Sequence, residues 1–165
     1  MTYPNVLAVA LLFLITSPGW AQLGGSAPKY DERVRKVLDA IPLKYEITAK
    51  GNFKVLLRLK SNRTQLILIS STTSTFGSLD VRKVYSYGAT STDGFSASVQ
   101  KKLLEYNDTI KFGGWYTTEE EGKSYAIFKV LIGADADGIT LNNVVELVAL
   151  AADEIELDLT SKDDY

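Results

Sequence analysis

The sequence predicts an α+β domain in which an antiparallel sheet carries helices packed against it. Two observations point there. Apolar–polar alternation recurs in blocks joined by short turn-forming stretches, which strings strands into meanders and hairpins. Helical periodicity brackets those blocks instead of separating every pair of strands, as a parallel sheet would require. The order read along the chain is helix, a run of meandering strands, helix, hairpin, helix.

The first helix is marked by Val34, Val37, Leu38 and Ile41, spaced i, i+3, i+4 and i+7, with Asp31 and Glu32 at its N-terminal end and Pro42 as its stop. Tyr45, Ile47 and Ala49 then alternate with Lys44, Glu46 and Thr48, and Lys50-Gly51-Asn52 supplies turn chemistry. Phe53, Val55, Leu57 and Leu59 alternate with Lys54, Arg58 and Lys60, the pattern of a half-buried antiparallel strand. After the Ser61-Asn62-Arg63 turn, Leu66–Ile69 is apolar on both faces and reads as a central strand. The hydroxyl run Ser70–Thr75 leads into a turn at Phe76-Gly77, and Val81–Tyr87 is the next strand, followed by a loop over Gly88–Gly94. Ser96 or Ser98 can cap a helix bearing Val99, Leu103, Leu104 and Tyr106. Lys111–Thr118 and Ser124–Ile132 flank the polar Glu119–Lys123 connection as a hairpin, and Gly113-Gly114 signals a bulge or a close backbone approach. Thr140 is placed as the cap of the last helix, whose stripe runs Leu141, Val144, Val145, Val148, Ala152, Ile155 and Leu159. Leu147, Leu150 and Ala151 widen that stripe beyond one sheet face, enough for either extra core or a subunit interface.

The apolar run Val6–Ile15, between a polar start and Ser17-Pro18, is too short for a membrane span and has the length of an export signal's hydrophobic region. Small residues at Gly19 and Ala21 place cleavage after Ala21. No Lys or Arg precedes the run, which leaves an uncleaved anchor or a displaced start site open. The expected organisation is a signal over 1–21, a flexible leader over 22–30, one domain over 31–160 and an acidic tail over 161–165. Export without any cysteine points to a bacterial periplasm or exterior.

Composition narrows the chemistry. The chain has no His and no Cys, which removes Ser-His-Asp and Cys-His nucleophilic catalysis and His- or Cys-ligated metals. A net charge of −2 is no nucleic-acid signature. Three remaining candidates are weak. Asp135-Ala136-Asp137-Gly138 resembles a calcium loop, but no register supplies both the sixth-position Gly and the twelfth-position Glu. The Glu119–Glu121 triplet sits at an exposed hairpin tip, where carboxylate pKa values are not driven apart. Ser70–Thr75 with Lys83 could form a Ser-Lys pair, although hydroxyl clusters are commonest at turns. No catalytic residue, metal or cofactor is therefore assigned. Aromatics concentrate at Phe112, Trp115, Tyr116, Tyr125 and Phe128, with Tyr85 and Tyr87 on an earlier strand, and alternation sends half of them to each face.

Gly51-Asn52-Phe53-Lys54-Val55, the Arg63-Thr64-Gln65 entry to an apolar strand, and the close Ala134-Asp135-Ala136-Asp137 … Thr140-Leu141 … Ala152-Asp153-Glu154 resemble the YbjN family of bacterial domains, over Asp31–Thr160. The resemblance implies the fold of type III secretion chaperones, with α-β-β-β-α-β-β-α order, and a homodimer. It supplies no catalytic residue, and the family is described as putative sensory-transduction regulators. This chain departs from the pattern in its export signal and in one strand pattern too many, either Val81–Tyr87 or Tyr45–Ala49. The expectation is a non-enzymatic, periplasmic or secreted module that binds another polypeptide, with Trp115, Tyr116, Leu147 and Leu150 as contacts, and that needs neither nucleic acid nor, once processed, a membrane. A carboxylate- or Ser/Lys-based envelope hydrolase, or a small-ligand binder with a cavity between the last helix and the sheet, are the alternatives.

Overall fold

The computed structural model describes residues 29–165; the expected export signal and residues 22–28 of the leader lie outside the described residues. Nine elements follow: α1 (Glu32–Asp39), β1 (Tyr45–Ile47), β2 (Phe53–Arg58), β3 (Thr64–Phe76), β4 (Leu79–Ser91), α2 (Ala97–Thr109), β5 (Gly114–Glu120), β6 (Lys123–Gly133) and α3 (Gly138–Thr160). The six strands make one antiparallel sheet in the order β1-β2-β3-β4-β6-β5. The class is the α+β one read from the sequence. The eight-element order is corrected to nine elements, with one strand more, because the patterns at Tyr45 and at Val81–Tyr87 both form strands.

Local chemistry sets the element ends. Asp31 caps α1 by accepting from Arg33 N, and the helix closes at Ala40, ahead of Pro42. Ser96 caps α2. The cap of α3 is Asp137, which accepts from Thr140 N at 2.7 Å, so Thr140 lies inside the helix. A carboxylate stabilises an N-terminus more than a hydroxyl does, because it also faces the positive end of the helix dipole.

Strands β3 and β4 are longer than their apolar cores. The hydroxyl run Ser70–Thr75 continues β3 to Phe76 through a bulge between Ile69 and Thr73. Side chains at the bulge supply the bonds that the ladder lacks. Ser71 N donates to Asn52 Oδ1, Ser71 Oγ donates to the Gly51 carbonyl, and Asp31 N donates to Ser71 Oγ. Likewise β4 continues to Ser91, into the expected Gly88–Gly94 loop, with a second bulge between Tyr87 and Ala89. Gly88 is there for space: a Cβ would stand 2.5 Å from Trp115 Cη2 and 2.9 Å from Ile155 Cγ2.

The helices pack on one side of the sheet. Phe53, Val55, Ile67, Ile69, Val84, Trp115, Phe128 and Val130 point toward them, and Val145, Val148, Ala149, Ala152 and Ile155 of α3 line the interface. These side chains fill the middle of the space between the last helix and the sheet. Arg82 is also on this side, 2% exposed, and it joins three segments. Its guanidinium donates to the Ser70 carbonyl (2.9 Å), the Ala134 carbonyl (2.8 Å) and Asp31 Oδ2 (2.8 Å). That ties the α1 cap to the β3 bulge and to the β6–α3 turn.

Candidate binding face

Among the described residues, the other side of the sheet carries no helix. Strand register fixes what it presents. One cross-strand row is Glu46, Lys54, Leu68, Tyr85, Lys129 and Gly114. Beside it Tyr87, Ile127 and Tyr116 stand in line, with Leu56 opposite Leu66 further along. Thr90, Tyr125 and Thr118 make the next row, and Lys83 faces Leu131 at the other end. Tyr165, from the residues after α3, adds a fifth tyrosine ring.

These rings form one assembly. Tyr87 meets Tyr85 edge-on with centroids 6.1 Å apart, Tyr125 at 5.4 Å, and Tyr165 in a stack at 6.0 Å with 27° between planes. Lys129 Nζ lies 4.5 Å from the Tyr116 ring centre and Lys83 Nζ 6.0 Å from that of Tyr85. Such cation–π placement holds an ammonium over a ring without neutralising it. Burial pushes the Tyr85 hydroxyl up to about 12, and burial also raises Tyr87, Tyr116 and Tyr165, so all four are neutral phenols at physiological pH. Glu120 shares this side, and its carboxylate lies 3.8 Å from Lys50 Nζ of the β1–β2 turn, although β1 and β5 are opposite edges of the sheet. The twisted sheet thus coils toward its open side and makes a shallow trough.

The four expected contact residues do not form one surface. Trp115 is corrected: it is 5% exposed, packed between Phe128 and Gly88 on the helix side. Tyr116 is in the trough. Leu147 and Leu150 lie on the far side of the molecule, in a groove of about 250 Å³ between α2 and α3 lined also by Tyr106, Ile110 and Glu154. Neighbours on a strand must point to opposite faces, so Trp115 and Tyr116 could never have shared one. The residues missed were Lys83, Lys129, Ile127, Leu66, Leu68 and Tyr165. Alternation within β3, β4 and β6 would have found the first five. Tyr165 has no periodic signal at all.

The β5 edge of the trough is partly closed. Asn107 of α2 accepts from Trp115 N (2.6 Å) and donates to the Trp115 carbonyl (3.1 Å), pairing that residue as a neighbouring strand would. Because backbone groups alternate in direction along a strand, those of Thr117 and Glu119 point outward as well.

Elsewhere, the weak chemical candidates are not assembled. Ser70 Oγ donates to the Thr72 carbonyl, and Lys83 Nζ lies over the Tyr85 ring. Asp137 is spent on its helix cap. Asp153, Glu156 and Asp163 bring carboxylate oxygens within 4.8 Å of one another, but Arg63 stands where a cation would, 2.5 Å from Asp153 and 3.2 Å from Glu156. A cavity of about 410 Å³ lies between α1 and the β6–α3 turn, with apolar walls of Val34, Val37, Ile132 and Leu141 and with Arg33 and Lys36 among its lining residues. Among the described residues no helix is long and apolar enough to cross a membrane.

No protein-family model, no curated protein and no solved structure matches this chain.

Proposed function

We propose that the chain is a non-enzymatic binding module that holds an extended segment of another polypeptide in the trough of its sheet. The observation that carries this is the one-sided packing of the fold: five tyrosines and five aliphatic side chains share the face that no helix of the described residues covers. Contiguous apolar surface of this kind marks interaction sites, and tyrosine supplies large contact area at low entropic cost. The outward backbone groups of Thr117 and Glu119 let such a segment add to the β5 edge, its alternate side chains meeting the tyrosines. In this reading the protein is an exported, YbjN-like module of the bacterial envelope.

The test is a photo-crosslinking residue placed at Tyr116, with Leu150 as control position. Defined polypeptide adducts at Tyr116, lost when Tyr87→Glu is added, support the reading. Adducts indifferent to Tyr87→Glu, or none at Tyr116, end it.

The α2–α3 groove favours a homodimer through the opposite side. Leu150 is 59% exposed there, with Leu104 (68%) and Leu157 (50%) also uncovered on the two helices. Leu150→Glu should then halve the mass measured by light scattering. A small-ligand reading rests on the 410 Å³ cavity, a size typical of ligand pockets, and a screening compound that binds there should raise the melting temperature.

A further inference from the structure

We propose that the partner segment is acidic and enters the trough through an aromatic side chain, in a seat that the chain's own Tyr165 now occupies. This rests on the trough being the binding face. The tail Ser161–Tyr165 starts from a left-handed Ser161 (φ 55°) at the end of α3, on the helix side of the sheet. It is pinned as it leaves: Asp164 N donates to Glu156 Oε1 (2.5 Å), and Thr64 N donates to Asp163 Oδ1 (2.9 Å). Past those anchors the chain rounds the end of β3 and β4. The Tyr165 ring then stacks on Tyr87 from the open side, and its hydroxyl bonds Thr90 Oγ1. The seat is thus an aromatic wall with a polar stop, filled by a residue that follows two carboxylates in sequence.

The charge beyond the seat selects the partner. Moving along β4 from Tyr87, same-face positions are Tyr85 and Lys83, roughly 7 and 14 Å away, and Lys129 is opposite Tyr85 on the next strand. Among the described residues neither lysine forms an ion pair, whereas Lys54 and Lys50 on the same side are paired with Glu46 and Glu120. An extended ligand with its aromatic residue in the Tyr165 seat and carboxylates two to four residues further along satisfies both lysines. The tail itself leaves both lysines unpaired: its Asp163 carboxylate accepts from Thr64 N, and the Asp164 backbone is anchored on Glu156. It acts as a resident competitor that the partner displaces.

The experiment uses a fluorescein-labelled peptide with a tyrosine followed by aspartates two and four residues on, Tyr-Thr-Asp-Thr-Asp, and the full chain carrying Tyr165→Ala. Anisotropy should show binding at least tenfold tighter than to the unaltered chain. That affinity should weaken with salt and fall tenfold or more when Lys83→Gln and Lys129→Gln are added. A peptide with Asn for each Asp should bind as poorly, which keeps the test valid should the lysine variant fold badly. Equal binding to both proteins, no binding to Tyr165→Ala, or indifference to both charge removals would overturn the proposal. If the peptide fails while Tyr116 still crosslinks in a Tyr87-dependent way, the acidic segment is wrong and the trough reading stands.

Discussion

Replacing Arg82 by Met should destabilise the domain by about 3–5 kcal/mol, the range for removing one partner from a buried charge pair. The structure shows where that comes from. The methionine stem can refill the apolar part of the site, but the carbonyls of Ser70 and Ala134 lose their donors inside the protein. Each unsatisfied buried acceptor costs about 1–3 kcal/mol. Asp31 adds less, because it keeps Arg33 and its own helix-cap bond. A domain of ordinary stability has about 5–15 kcal/mol in total, so the variant should still fold at low temperature. With a urea slope of about 2 kcal/mol per molar, the midpoint should fall by roughly 1.5–2.5 M, read by circular dichroism. The bonds of Arg33, and then of Arg82, hold the Asp31 carboxyl well below the usual carboxylate range. A depressed folded pKa contributes stability above the unfolded value near 3.9 and loses it as pH falls. Arg82→Met should therefore show a shallower loss of stability on acidification below about pH 4. A midpoint shift under 0.5 M, or no coupling between Arg82→Met and Asp31→Asn in a double-mutant cycle, would refute the account.

Three further outcomes are expected. Gly88→Ala should cost about 1–3 kcal/mol by overpacking against Trp115 and Ile155, seen as a lower melting temperature with unchanged m-value. Burial raises the Glu156 carboxyl despite the opposing Asp164 N–H and Arg63. Its ionisation therefore opposes folding as pH climbs from the unfolded value near 4.3 through the raised folded one. Glu156→Gln should gain stability relative to the unaltered chain across that window and then level off; a difference that shrinks with rising pH would be the wrong sign. In an ultraviolet titration, one tyrosine should ionise only near pH 12 and vanish from the curve in Tyr85→Phe.

Much of this architecture is legible because it is local. Alternation in Phe53–Leu59 and the spacing of Leu141 through Ile155 state which side of each element is apolar, and the structure uses those sides as written. Where residues carry little hydrophobic signal the pattern says less. Ser70–Thr75 is assigned no element and Gly88–Ser91 reads as loop, yet both are strand because they pair with neighbours already in the sheet, and cross-strand bonds outweigh weak local preference. The site was half visible. Its tyrosines stood out, but Trp115 was grouped with Tyr116 by proximity in sequence, when the two sit on opposite faces.

Taken alone, the sequence determined the class of fold, the apolar side of each helix and the absence of imidazole and thiol chemistry, since these follow from residue identity and periods of 2 and 3.6. Only the tertiary structure decided that all three helices gather on one side, that Arg82 is buried at the junction of three segments, and that Tyr165 reaches Tyr87 across 78 positions of chain. Those outcomes depend on strand order and on how segments distant in sequence pack, and no local pattern encodes either.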